Sequence, residues 1–266
     1  MQVRIAGFIF LLILSVNCWA QGNTHTRSFN KAVKDLEHRV YNKMTKRTIY
    51  CEATFSGKRI TNANGFVATK YQNRSNKLEW EHVVAAEHFG QFFDEWHNNH
   101  KYKACKKSNG GTLTGRECAS KINKKFQYMQ ADMYNLYPAI GAVNALRSNM
   151  KFTQLKNSKQ SQNIFSKAKS YINHLTKSNN KCSFSIENRQ IEPPNNAKGK
   201  IARCYLYMTK NYTVYRLSST NKKLFKVWDN LYPVTADECT RTKLIERVQR
   251  NVNHIVKDAC IKAKLW

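Results

Sequence analysis

The chain is poor in acid. Its 266 residues carry 17 Asp and Glu against 45 Lys and Arg, a formal charge of +28. It also lacks an internal repeat, a low-complexity or linker-like tract, and any apolar run beyond residue 20 long enough to cross a bilayer. These absences exclude a repeat array, a string of tethered domains and a polytopic membrane protein. The order His-Glu-x-x-His is missing too, and its inverted form would need a His where Val84 stands, so neither zinc-protease motif is present.

What is there points to export and to a polyanion. Arg4, the apolar run from Phe8 to Val16 and the small Ala20 form a three-part secretory signal over residues 1–20, followed by polar Gln21 to Arg27. Asn17 before Cys18 argues against a lipoprotein. Residues 21–266 then read as one domain of charge +27, with the basic residues spread along the chain and 41% of all residues apolar. A folded, exported and strongly basic protein suits nucleic acid, an anionic glycan or a lipid surface. Asn73-Arg-Ser75 and Asn211-Tyr-Thr213 match glycosylation acceptors, a triplet common by chance.

Seven cysteines follow the signal, an odd number that leaves one unpaired. The expected pairs are Cys105–Cys118 and Cys239–Cys260, both local, with Cys51–Cys182. Cys204, in an apolar helical stretch, is the expected free thiol, behaving as a small hydrophobe. Spacing alone does not prove this connectivity.

Phe29, Val33, Leu36, Val40, Tyr41 and Met44 recur at helical spacing. Thr48–Phe55 and Gly65–Tyr71 read as extended segments around a turn at Ser56-Gly57-Lys58, and Leu78–Val84 as a strand entering a short helix through Phe89 to Phe93. Residues 97–117 read as a polar, basic loop. A helix carrying Ile122, Phe126 and Met129 follows, limited by Pro138. Another strand is expected near Cys182–Ile191, then helices around 197–210, 219–231 and 235–250, the last opened by the capping box Thr235-Ala-Asp-Glu238. The sum is an α+β, mixed, helix-rich single domain.

Phosphodiester hydrolysis needs a base for water and a cation for the charge on phosphorus and the leaving oxygen. Glu81-His82 sets a hard oxygen ligand beside an imidazole. Strand neighbours point to opposite faces, so the two share a site only where the strand kinks or ends. Asp132 to Asn149 gathers further oxygen donors and Arg147, which suit Mg²⁺ or Ca²⁺ and equally suit helix caps. His97 and His100 with Cys105 and Cys118 could be drawn as a zinc site, but an oxidising compartment favours a disulfide. His88 reads as a packed helix residue and His254 as surface.

Several segments resemble the endonuclease I family of exported bacterial nucleases with a ββα-metal, or His-Me finger, active site. They are Leu78-Glu-Trp-Glu-His82-Val-Val, Ala131-Asp-Met-Tyr-Asn135-Leu-Tyr-Pro138-Ala-Ile-Gly141-x-Val-Asn144-x-x-Arg147-Ser-Asn149, Gly199-x-Ile-Ala-Arg203-x-Tyr-Leu-Tyr-Met208, and Trp228-x-x-x-Tyr232-Pro-Val with Glu238-Cys-Thr-Arg241. The resemblance implies that His82 is the general base, that Glu81 and Asn135 hold one Mg²⁺, and that Arg116 holds the scissile phosphate. It implies a monomer cutting DNA, and usually RNA, in single or double strands to leave 5′-phosphates, in the periplasm or the medium. Departures are Ala85 for a Pro, Gln130 for a Glu, Ala145-Leu146 for Gly-Asp, Cys204 for a Thr, and a missing disulfide between Glu52–Phe55 and Asn62–Phe66. Asn251 and Asn253 resemble a family Asn-x-Asn element whose role the residues do not reveal. The alternatives are a ribonuclease with little DNA cleavage, an inactive nucleic-acid-binding protein, and a membrane- or glycan-binding basic protein. The intact Glu81, His82 and Asn135 argue against the second, and the order of the motifs against the third.

Overall fold

Ser28 opens the first helix by accepting from Lys31 N, and the apolar face of α1 (Phe29–Asp35) continues through a π turn, Leu36–Val40, and a 3₁₀ turn, Tyr41–Lys43. A computed structural model describes residues 21–155 and 182–266; the expected signal lies outside them. Leu36, Val40 and Tyr41 are buried as the spacing expects, Ala32 is buried in addition, and Phe29, Val33 and Met44 are half-buried.

The extended segments are shorter and differently placed than expected. Only Thr54–Ser56 (β1) pairs, with Arg59–Asn62 (β2), around Gly57 at φ +54°. Thr48 N instead donates to Ala53 O at 2.9 Å, and Glu52 sits at φ +51°, so this stretch is a tight turn. Gly65–Tyr71 forms no strand, because Gly65 and Tyr71 take left-handed φ values that break extended geometry.

Leu78–His82 (β3) pairs antiparallel with Leu136–Ile140 (β4), from Leu78 opposite Ile140 to His82 opposite Leu136. The segment joining them holds α2 (Ala86–Gly90), α3 (Asp94–His97), α4 (Gly115–Ile122) and α5 (Lys124–Gln130). The expected polar loop, 97–117, runs from the end of α3 to the start of α4 with two 3₁₀ turns, Asn99–Lys101 and Lys103–Cys105. The expected helix through Ile122 and Met129 is divided at Asn123, whose side chain caps α5 by accepting from Phe126 N. β4 is missing from the sequence reading because it contains Pro138. That proline ends no helix; its carbonyl accepts from Ile49 N at 2.9 Å, on the side away from the strand partner.

α6 (Gly141–Arg147) follows β4 directly and packs back on β3 and β4. A Cβ at Gly141 would lie 2.6 Å from Glu79 Oε1 and 2.8 Å from Arg74 O, so only glycine permits this approach. β5 (Lys151–Phe152), β6 (Ser185–Glu187) and β7 (Gln190–Glu192) form a small mixed sheet. The rest is helical: α7 (Asn195–Asn211), α8 (Ser219–Leu231), α9 (Ala236–Gln249) and α10 (His254–Lys262). The first three match expectation within a few residues. α10 does not appear in the sequence reading, although Asn253 caps it by accepting from Val256 N.

Two polar hubs tie these parts together. Arg203 on α7 meets Glu238 on α9 through two 2.7 Å hydrogen bonds, both side chains buried. Asp132, fully buried, accepts from Tyr134 N, Gln249 Nε2, Tyr207 OH, Tyr212 OH and Asn23 N. Asn251 joins the same network through Tyr207 OH and Gln21 O. Cys51–Cys182, Cys105–Cys118 and Cys239–Cys260 are bonded as expected. Cys204 is free and buried, and that burial pushes its thiol up to about 12, leaving it inert.

Candidate active site

β3 ends at His82, and the strand end resolves the problem of opposite faces. Glu81 and His82 point to different sides, yet both line one cavity of about 420 Å³ with Phe29, Trp80, Arg116, Asn144 and Arg147.

On the histidine side, Phe29 stacks on the imidazole at 5.1 Å and 22°. His82 Nε2 lies 2.8 Å from the carbonyl of Gln130. A carbonyl only accepts, so Nε2 carries the proton and Nδ1 keeps a bare lone pair. Burial, reinforced by the charge of Arg116, holds the imidazole down at about 3. The ring is therefore neutral across the physiological range. Gln130 acts through a backbone atom that any residue would supply, so the departure from Glu leaves this bond intact. Its own side chain accepts from Ser120. Ala85, in place of a Pro, sits at φ −53°, which proline also adopts.

On the glutamate side, Tyr50 OH donates to Glu81 Oε1 at 2.7 Å, and Arg147 Nη1 lies 3.1 Å from the same oxygen. Glu81 Oε2 has no partner among the described residues. Burial pushes the carboxyl up, opposed by the Arg147 charge and the Tyr50 hydrogen bond. Cys51, next to Tyr50, is fixed by its disulfide to Cys182. Arg147, 1% exposed, also donates to the carbonyls of His82 at 2.9 Å and Val83 at 2.5 Å, so it holds the strand end as well as the carboxylate.

One turn earlier on α6, Asn144 Nδ2 donates to Glu79 Oε2 at 2.8 Å, and Glu79 is itself held by Arg74. The carboxylate cannot donate, so the amide orientation is unambiguous and Oδ1 remains the unengaged atom. Arg116 stands at the second position of α4. A capping box between Thr114 and Glu117 starts this helix, and the Cys105–Cys118 disulfide anchors it. A Cβ at Gly115 would meet Trp96 O at 2.0 Å, which seats the helix start against the cavity wall. Arg116 forms no hydrogen bond or ion pair with any described residue, leaving its guanidinium available to an anion.

The structure brings Glu81, His82 and Arg116 together and leaves Asn135 out. Asn135 is fully buried and absent from the cavity lining. Its Oδ1 accepts from Val84 N at 2.7 Å and its Nδ2 donates to Val84 O at 3.0 Å. Both polar atoms are closed on backbone, and Asn135 clamps the chain just after His82. Asn144 is the amide that faces the cavity. It stands in the same sequence motif, and the signal for it was its place three residues before Arg147, on the helix face that meets alternate residues 79 and 81 of β3.

The zinc reading loses its sulfur ligands to the Cys105–Cys118 disulfide, and His97 Nε2 is engaged with Gln91 O. Among the described residues no three or more His, Cys, Asp or Glu side chains form a metal-holding group. His88 is packed between Asn149 O and Tyr205 OH, as its helical position suggests, and His254 is half-exposed beside Asp258.

The family model described as Endonuclease I matches residues 20–260. The chain belongs to the endonuclease I family. Its relatives include Endonuclease-1 of Buchnera aphidicola subsp. Acyrthosiphon pisum (strain APS), 36% identical over 74% of this chain and 66% of that one. An extracellular deoxyribonuclease of Aeromonas hydrophila is 31% identical over 88% of this chain and 90% of its own. A periplasmic deoxyribonuclease of the same organism is 33% identical over 79% and 77%. Near β1 and β2, a 2.9 Å hydrogen bond joins Thr54 and Thr61, and Asn64 Nδ2 donates to Cys51 O at 2.8 Å.

Proposed function

We propose that this endonuclease I family member hydrolyses phosphodiester bonds of DNA, and of RNA, with His82 Nδ1 as the base that takes a proton from water. The observation that carries this reading is the commitment of His82 Nε2 to the Gln130 carbonyl, which leaves Nδ1 bare in a cavity that also holds an unpartnered arginine. The protein is exported, to the periplasm or the medium, as the names of its relatives indicate. Residues 1–20 act as the cleaved signal and 21–266 as the monomeric enzyme.

The donor set fits one Mg²⁺ with a largely aqueous shell: Glu81 Oε2 and Asn144 Oδ1 are both oxygens, and each is oriented by the engagement of its neighbouring atom. Mg²⁺ held there supplies electrostatic stabilisation of the leaving 3′-oxygen, so the product carries a 5′-phosphate. Arg116 binds the non-bridging oxygens of the scissile phosphate. Arg147 and Asn135 keep the β3 end and the chain after His82 in place. Glu81 and His82 on β3, Asn144 and Arg147 on α6, and β4 paired with β3 support reading the site as a ββα-metal arrangement. It reads phosphate, so base sequence has little influence.

The test is cleavage of supercoiled plasmid and of single-stranded RNA by the protein of residues 21–266, with Mg²⁺, with EDTA, and with His82→Ala. Mg²⁺-dependent loss of both substrates, abolished by the substitution, is expected. Loss of RNA alone would replace the reading by a ribonuclease, and binding without cleavage by a nucleic-acid-binding protein.

A further inference from the structure

A larger cavity, of about 710 Å³, lies beside the catalytic one and is not used by the reaction above. One wall is a single face of α1 and the turns that continue it, with Lys34 and Glu37 projecting into the cavity. The other is the β1–β2 hairpin, with Phe55 and Lys58, and Lys46 and Tyr41 complete the lining. The two cavities share a border. Trp80 lines the catalytic cavity and donates from Nε1 to Glu37 at 3.2 Å, and Tyr41 packs edge-on against the same indole at 5.5 Å.

The charge in this groove is lopsided. The side chains of Lys34, Lys46 and Lys58 form no hydrogen bond or ion pair with any described residue, and the one carboxylate of the lining, Glu37, is turned to the Trp80 border. Ammonium groups converging on one cavity repel each other, so an anion that bridges them gains from all three. The volume is within the range of about 300–1,000 Å³ that encloses small organic ligands, enough for nucleotide-sized groups.

We propose that this groove binds the polynucleotide on one side of the scissile bond, the flanking phosphates meeting Lys34, Lys46 and Lys58 while sugar and base lie over the apolar floor at Val33, backed by Tyr41 and Phe55. The inference rests on the nuclease reading for the identity of the strand and adds a second subsite to it. Occupancy of the groove holds the substrate across the Trp80 border and so presents the next phosphate to Arg116. The contribution is to binding, not to the chemical step.

The experiment compares the triple variant Lys34→Ala/Lys46→Ala/Lys58→Ala with a control of equal charge change on α8, Lys222→Ala/Lys223→Ala/Lys226→Ala. Binding of a fluorescent single-stranded DNA oligonucleotide is measured in EDTA over a range of salt. Cleavage is measured on that oligonucleotide and on bis(p-nitrophenyl) phosphate, a diester too small to reach the groove. The groove variant is expected to bind about tenfold more weakly and to lose about 2 from the salt slope, at about 0.7 per phosphate contact on a single strand. Its loss in cleavage falls on KM for DNA and leaves the small diester unchanged, while the α8 control changes by less than half as much. Equal behaviour of the two variants, or an equal loss on both substrates, would overturn the groove. Wild-type protein that binds the oligonucleotide with the expected variant difference but cleaves neither substrate would sink the nuclease reading and leave the groove standing.

Discussion

On one side of the β3 end, His82 meets a stacked ring and a single backbone carbonyl; on the other, Glu81 meets a phenol and a guanidinium. The histidine side removes water and offers no countercharge, so the ring stays neutral with one nitrogen free. The glutamate side also removes water, but Arg147 stands 3.1 Å from Glu81 and favours its ionised form. Neighbouring residues on one strand are thus poised for different work, one to receive a proton and the other to present negative oxygen. Burial lowers the imidazole and raises the carboxyl, so it is the partners, a carbonyl for His82 and a guanidinium for Glu81, that divide the labour.

The sharpest way to break this comparison is to remove the imidazole. His82→Ala is expected to lower Mg²⁺-supported plasmid cleavage by about 10³-fold, within the usual range for a general base. A variant retaining a tenth of wild-type activity would mean that the base lies elsewhere. Arg116→Ala comes next, with an expected loss of about 10²-fold in kcat/KM and an unchanged melting temperature, since the side chain has no protein partner to lose. A drop in melting temperature without loss of activity would reassign it to structure.

A paired measurement on the two asparagines separates ligand from clamp. Asn144→Ala is expected to raise the Mg²⁺ concentration needed for half-maximal activity by about tenfold. Asn135→Ala is expected to leave that concentration alone and to destabilise the fold by about 1–3 kcal/mol, because it strands the buried Val84 amide and carbonyl. The reverse pattern would restore Asn135 as the metal ligand. The smallest effect concerns acid. His82 and His88 are held down at about 3 and about 4 from an ordinary value of 6.5. The folded state therefore binds fewer protons than the unfolded one, and the stability due to these rings is complete above about pH 6.5 and lost as pH falls toward 4 and 3. Melting temperatures across that window are expected to fall for wild type and to fall less for His88→Phe; parallel curves would contradict the buried neutral state.

Local patterns in the sequence carried the helical half well, because the capping box at Thr235 and the apolar spacings are signals read within a few residues. Glu81 and His82 were visible for a similar reason, as an acid–imidazole pair at the end of a strong strand. What escaped depends on contacts between distant segments. β4 is defined by partners more than fifty residues away, and its Pro138 argues locally for something else. The choice between Asn135 and Asn144 likewise turns on what each amide touches: the backbone of Val84 in one case and the carboxylate of Glu79 in the other. Both amides sit in the same oxygen-rich motif, so composition cannot separate them.

The Asp132 hub carries a consequence for timing. It draws Asn23 from near one end of the described chain and Gln249 from near the other, two residues from the carbonyl that orients His82. Asn23 Nδ2 also donates to Tyr128 O, on the other side of Gln130. A ribosome-bound or partly exported chain that has not released its last twenty or so residues leaves this turn without its Gln249 partner. The catalytic turn is therefore among the last places to be finished, and a chain stopped short of Gln249, the last residue of α9, should emerge as protein without becoming a competent site.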